Sequence, residues 1–234
     1  MPCLGAQSAR PRFDVTSVSP AATGTASSSV APGVLVFQRR SVTVAELVQF
    51  AYGVMDFQLV GGPDWIASER FNVSANANRM PSEDELLLMV QSLLDERFAL
   101  RLRTDVRQTT QYFLKVAESG HLGTRLRRCD NPNAPPASVP IRIPPGTVPM
   151  MGSCRPIATV AKSCSVKLGA PVLDRSELEG LWTYEVLLPK PAADEPLELQ
   201  LATALREQLG LALERGAGPL QVLVVQSAQR PKSD

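Results

Sequence analysis

SEDELLLMVQSLLDERFALRLRTDVRQTTQYFLKVA, Ser82–Ala117, decides the fold, because a second stretch repeats its pattern. The second is LELQLATALREQLGLALERGAGPLQVLVVQSA, Leu197–Ala228. Each reads as an apolar-faced helix, a short strand, a turn and a second strand. In the first, Ser82 stands at the N-cap with Glu85 in the capping-box position. Glu83, Asp84 and Glu85 complement the positive helix end, so they read as helix chemistry and not as catalytic carboxylates. Leu86, Met89, Val90, Leu93, Leu94 and Phe98 form the apolar stripe. Leu100 and Leu102 alternate with Arg101 and Arg103, and Tyr112–Val116 is expected as the hairpin partner. In the second stretch, a helix opens at Pro196 and runs to Leu209. Gly216-Ala217-Gly218-Pro219 is expected to turn the chain into the strand Leu220–Gln226.

Similar elements precede both stretches. Upstream of the first, Phe13–Val18 and Val34–Phe37 read as strands separated by a loop, Ser19–Pro32. Thr43 caps a helix with Glu46 in the box position, Val44, Leu47, Val48 and Ala51 share a face, and Gly53 is a natural stop. Phe57–Val60 reads as a short strand, Asp64–Arg70 as a turn or short helix burying Trp65 and Ile66, and Phe71–Ala75 as a strand. Upstream of the second, Ile157–Leu168 reads as a helix with Val160, Ala161, Cys164 and Leu168 inward. Pro171–Leu173 and Leu181–Leu188 follow as strands. Between the two halves, Pro132, Pro135, Pro136, Pro140, Pro144, Pro145 and Pro149 crowd residues 118–153. Proline at that density argues against helix and interior strand.

Aligned by these elements, Leu47 matches Val160, Ala51 Cys164, Phe71 Tyr184 and Val73 Val186. Leu94 then matches Leu205, Phe98 Leu209, Leu102 Leu213 and Phe113 Leu223. The separation falls only from 113 at Leu47 and Val160 to 110 at Phe113 and Leu223, and apolar meets apolar throughout. The expected fold class is α+β: two tandem pseudo-repeats, each with two helices on a small, mostly antiparallel sheet, joined by a Pro-rich insert. The expected bounds are 13–117 and 154–228 for the repeats, 118–153 for the insert and 229–234 for a polar tail. Each repeat is small for burying a sheet alone, so the two are expected to pack together.

Of the 234 residues, 44% are apolar and 20% charged, enough for a packed core. A formal net charge of +1 lacks the broad positive field of a nucleic-acid binder. No apolar run is long enough to span a bilayer. The single histidine, His121, excludes HExxH and multi-histidine metal sites. Cys3, Cys129, Cys154 and Cys164 form no CxxC pair, so no cofactor or metal is expected. Met1–Gln7 has no basic region, yet Leu4-Gly5-Ala6-Gln7-Ser8 looks like the tail of a secretory signal. Residues 1–12 are therefore read as a signal remnant, with the true start upstream. The alternative is a frayed cytosolic terminus.

Several segments carry a resemblance. They are FDVTSVSP from Phe13, VTVAELVQFAYGVMDFQLVGGPDWIASERFNVSA from Val42 and LLDERFALRLRTDVRQTTQYFLKVA from Leu93. GAPVLDRSELEGLWTYEVLL from Gly169 and LATALREQLGLALERGAGPLQVLVVQSAQRP from Leu201 complete the set. Together they resemble a domain-of-unknown-function family, the uncharacterised secreted paralogues of soil acidobacteria. The resemblance implies secretion, many paralogues per genome and no assigned activity. Related domains joined to membrane metallopeptidase-type antibiotic sensors point toward sensing or interaction. Each half is also similar in pattern to the short N-terminal domain of secretins and TonB-dependent transducers, which implies binding of proteins by a sheet edge or helix face.

Cys129 and Cys154 flank the insert. In an oxidising compartment a bond between them would close a loop of about 25 residues, contributing roughly 3 kcal/mol; in a reducing one both remain thiols. The resemblance implies the bond. Cys164 reads as a small buried hydrophobe. His121 with Cys129 lacks an orienting group for a nucleophile–base pair, and the spacing of His121, Cys129, Cys154 and Cys164 is irregular for zinc. Arg101, Arg103, Arg107, Arg125, Arg127 and Arg128 are a candidate anion patch, without the interleaved aromatics of a nucleic-acid binder. Trp65, Phe71, Phe98, Trp182, Tyr184 and Leu209 read as core anchors. Asn72-Val73-Ser74 matches a glycosylation acceptor but falls on an expected strand. The functional expectation is a secreted or periplasmic, non-enzymatic protein that binds an envelope protein or extracellular ligand. The alternative is a hydrolase or peptidase-associated regulator with a site between the repeats.

Overall fold

The structure, a computed structural model, describes residues 10–21, 27–29, 36–118, 120–130, 143–189 and 196–232. These build a mixed α+β protein with five helices and three small sheets among the described residues. The chain divides into two compact units: unit 1, Met1–Val106 with Gln221–Asp234, and unit 2, Arg107–Leu220.

In unit 1, strands β1 (Val15–Pro20), β2 (Ser27–Ser29) and β3 (Val36–Thr43) lead into helix α1 (Val44–Tyr52). The Thr43 hydroxyl accepts from the Glu46 amide while the Glu46 carboxylate accepts from the Thr43 amide, a complete capping box. Gly53 closes the helix in the left-handed region at φ 63°. A 3-10 turn, Asp56–Gln58, replaces the first half of the expected strand 57–60, and β4 is Leu59–Gly61. One helical turn, α2 (Trp65–Ser68), buries Trp65 and Ile66 before β5 (Arg70–Asn76). Residues 71, 73 and 75 of β5 point inward, as the alternation of FNVSA requires.

Helix α3 (Glu83–Phe98) packs on α1, and Gln91 Nε2 donates to the Ala51 carbonyl at 2.8 Å. The Ser82 hydroxyl accepts from the Glu85 amide, but the Glu85 carboxylate pairs with Arg79, so this cap lacks the reciprocal half of the box. The antiparallel sheet runs β1-β5-β3-β2. It and the helices enclose an aromatic core in which Phe71 meets Trp65 and Phe98 edge-on, at 6.3 and 5.4 Å.

In unit 2, β7 (Leu126–Arg128), β10 (Trp182–Pro189) and β8 (Thr147–Arg155) form an antiparallel sheet with β10 central. Helix α4 (Ala158–Leu168) leads to β9 (Val172–Asp174), tied by the Val172 amide donating to the Ser165 hydroxyl at 2.8 Å. Helix α5 (Leu197–Leu209) packs on β10, and Trp182, Tyr184 and Leu209 sit in the largely aliphatic core.

Two long strands serve both units: β6 (Arg101–Val116) and β11 (Leu211–Ser227). In unit 1, β4 runs parallel to β11 at Leu223–Val225. In unit 2, β9 runs parallel to β6 at Tyr112–Leu114. Each unit thus contains a strand segment from the opposite half of the sequence.

These strands correct two sequence expectations. No hairpin separates Leu102 from Tyr112, because residues 104–111 contain no Gly, Pro or Asn to supply a turn. Gly216–Pro219 does not turn either. Gly216 and Gly218 keep negative φ, and they serve close approach instead. A Cβ at Gly216 would lie 2.6 Å from the Phe113 ring, and one at Gly218 would strike the Gln111 side chain.

Two further expectations also change. Ser27–Ser29 pairs with β3 inside the stretch read as loop. Strand β7 lies, and β8 starts, within the stretch read as a Pro-rich insert, and Pro149 lies in β8. That strand is at a sheet edge, where a missing N–H is tolerated. Pro132, Pro135, Pro136 and Pro140 lie outside the described residues.

Candidate functional site

The most developed chemistry lies at one end of the unit 2 sheet. Strand β10 alternates, placing Trp182, Tyr184, Val186 and Leu188 inward. Tyr184 stands opposite Gly152 of β8, and its ring occupies the space a Cβ there would need. Burial of this phenol raises its pKa, opposed by a hydrogen bond to Ser163 and the charge of Arg155. Where β7 ends, the other side of β10 is closed by a side chain: the Gln208 amide donates to the Leu187 carbonyl and accepts from the Leu187 amide, both at 2.9 Å. That side of β10 is thereby satisfied, whereas β8 forms the sheet's open edge among the described residues. Val148 and Met151 are exposed along it.

Cys129 and Cys154 are disulfide-bonded, with Cα atoms 5.3 Å apart. The Cys129 amide donates to the Leu181 carbonyl at 2.8 Å and the Cys154 amide to the Thr183 hydroxyl at 3.2 Å. The bridge therefore ties together the two strands that flank β10. Cys154 takes φ 48°, an uncommon conformation for a side-chain-bearing residue, where the β8–β10 register shifts. The shift brings Arg155 opposite Trp182, whose other cross-strand partner is Arg128. A row Arg128–Trp182–Arg155 results. The Trp182 indole N–H donates to the Glu179 carbonyl at 3.2 Å, and the Arg128 guanidinium lies beside Gly180.

The six arginines read from the sequence divide between the two units. Arg101 and Arg103 belong to unit 1, paired with Asp95 and Asp105 respectively. Arg125 is held by Glu185 at 2.9 Å, and Arg107 is also engaged. Arg127 and Arg128 are exposed and form no ion pair among the described residues. Arg155 belongs with them but escaped sequence reasoning. The available signal was adjacency: once Cys129 and Cys154 are joined, their neighbours Arg128 and Arg155 come together.

The other candidates resolve into structure. Cys129 is committed to the bridge, so it offers His121 no thiolate, and His121 packs through its backbone against Gly210. Cys164 is buried, which pushes its thiol up to about 12 and leaves it protonated and inert. Among the described residues no three His, Cys, Asp or Glu side chains gather as a metal site would require. No described helix is long and apolar enough to cross a membrane. A shallow cavity of about 370 Å³ in unit 1 lies against Pro20, Glu69, Phe71, Arg230 and Pro231. Its charges are already engaged, Arg70 with the Ser41 carbonyl and Glu46. Glu69 and Arg230 form a forked pair that lowers the Glu69 pKa, and Arg230 covers the Trp65 ring at 5.3 Å.

Fold and site together define a two-unit α+β protein with one cross-linked sheet whose edge is open. The model of a family described as a protein of unknown function (DUF3738) matches residues 45–228, and the chain belongs to that family. No curated protein matches it, and no solved structure matches it.

Proposed function

We propose that this protein is a non-enzymatic binding module, working in an oxidising compartment such as the periplasm or the extracellular space. It takes an extended segment of a partner protein along the edge of β8. The open nine-residue edge Thr147–Arg155, with exposed Val148 and Met151, carries the reading. Outside Pro149, which has no N–H to give, such an edge offers unpaired backbone groups to an added strand, with apolar side chains for selectivity. The Cys129–Cys154 bridge supports the compartment, since disulfides persist where thiols are not kept reduced.

An origin by duplication is part of this reading. The orders β3-α1-β4-β5-α3-β6 and β8-α4-β9-β10-α5-β11 support it, as does the reciprocal use of β11 and β6.

Hydrogen exchange of the full chain with a peptide selected from a library of extended sequences tests the edge. Slowed exchange across Thr147–Arg155, abolished by Val148→Asp with Met151→Lys, is the expected outcome. Selected peptides that protect other segments and leave β8 unchanged would sink the proposal.

A further inference from the structure

We infer that Arg128 and Arg155 form a clamp for an oxyanion, a carboxylate or phosphate group, set across Trp182 and gathered by the Cys129–Cys154 bridge. Both arginines are direct cross-strand partners of Trp182, so all three share one face of the sheet. Each arginine Cβ stands about 5 Å from that of Trp182. Two cations aligned in one row repel each other, and side chains placed so normally alternate in sign. Here nothing among the described residues compensates them. Asp130 and Glu179, close in sequence, form no ion pair with either among the described residues, although Arg125, just ahead of β7, holds Glu185.

The position is also built rather than incidental. Arg155 reaches the row only because Cys154 adopts its left-handed conformation at the register shift, and the bridge from Cys129 holds that shift in place. The Arg128 guanidinium lies beside Gly180, whose backbone takes φ 88°. Two arginines borne on either side of one residue, on the same face of the sheet, suit a planar or tetrahedral oxyanion, which arginine binds bidentately. Trp182 between them is 7% exposed, so the row is backed by the packed core.

The test is NMR titration of arginine Nε–Hε resonances in the disulfide-intact full chain, with inorganic phosphate and, separately, with a tri-aspartate peptide. Both Arg128 and Arg155 should shift together along one saturable curve. Arg128→Gln should weaken the shift at Arg155 by about tenfold, as loss of a charge-assisted bond implies. Chloride at equal ionic strength should leave both unmoved. Saturation by phosphate alone makes the ligand a free oxyanion; saturation by the peptide, displaced by phosphate, makes it an acidic polypeptide. The clamp is refuted if chloride reproduces the shifts, if the two arginines titrate independently, or if Arg155 ignores Arg128→Gln. The edge reading is untouched by that failure, because β8 exchange is measured without an anion.

Discussion

Units 1 and 2 use similar element orders but are secured by different means. Six of the seven phenylalanines, at 13, 37, 50, 57, 71 and 98, fall in unit 1, whose core is a chain of ring contacts. Its two long helices begin at side-chain caps, Thr43 and Ser82. Unit 2 has a largely aliphatic core with no phenylalanine among its buried residues, and its helices begin at Ile157 and Pro196 without a side-chain cap. It holds the disulfide instead, and its chain segments approach so closely at Gly123, Gly152 and Gly210 that a Cβ would collide with a neighbour. Unit 1 is encoded largely by short-range signals; unit 2 depends on cross-links and on backbone proximity between residues far apart in sequence.

The sharpest way to break this contrast is to cut a large side chain from unit 1. Phe98→Ala should cost about 4 kcal/mol in denaturant unfolding. Native-state hydrogen exchange should show the loss in α1, α3 and β5, with α4 and α5 retaining protection. Equal loss in both units would mean that their cores are not energetically separate. Next in size is the double substitution of Cys129 and Cys154 by Ser. It should cost about 3 kcal/mol and release β7 and β8, leaving the unit 1 sheet protected. A smaller effect, about 1 kcal/mol, is expected for Thr43→Ala from the lost cap, read as a shifted urea midpoint. Pro196→Ala should show no comparable cap loss; if it costs as much as Thr43→Ala, helix starts in the two units are equally dependent on local signals.

At mildly alkaline pH the smallest effect is that of Cys164. Burial raises the Cys164 thiol to about 12, so the folded protein holds its proton more tightly than the unfolded chain. The resulting stabilisation is complete below the ordinary thiol pKa and is lost as pH climbs from there toward about 12. Iodoacetamide at mildly alkaline pH should leave Cys164 unmodified in peptide maps until unit 2 opens. Rapid native labelling would contradict the tight packing assigned to this core.

The same contrast explains what the sequence discloses. Thr43, Glu46 and Gly53 bound α1 correctly because a capping box and a left-handed glycine act within a few residues. The continuous run of β6 was signalled by the lack of Gly, Pro and Asn over 104–111, whereas that of β11 was hidden because Gly216 and Gly218 carry the composition of a turn. Only the Phe113 and Gln111 side chains opposite them reveal their purpose. Strand β8 was hidden by Pro149, which is admissible only on an edge, and edge status is decided by which strands pair. Of the candidate site, the two cysteines and Arg128 were legible. Arg155 was not, because its partner depends on the register shift at Cys154.

The exchange of strand segments has a consequence for handling the molecule. A fragment ending near residue 117 would keep β4 but lack the piece of β11 that lies beside it, and the remaining fragment would keep β9 without its stretch of β6. Neither half is a self-sufficient product of a simple cut. Mixed in equal amounts, however, the two should restore each other's missing partner, which makes the chain a natural split reporter.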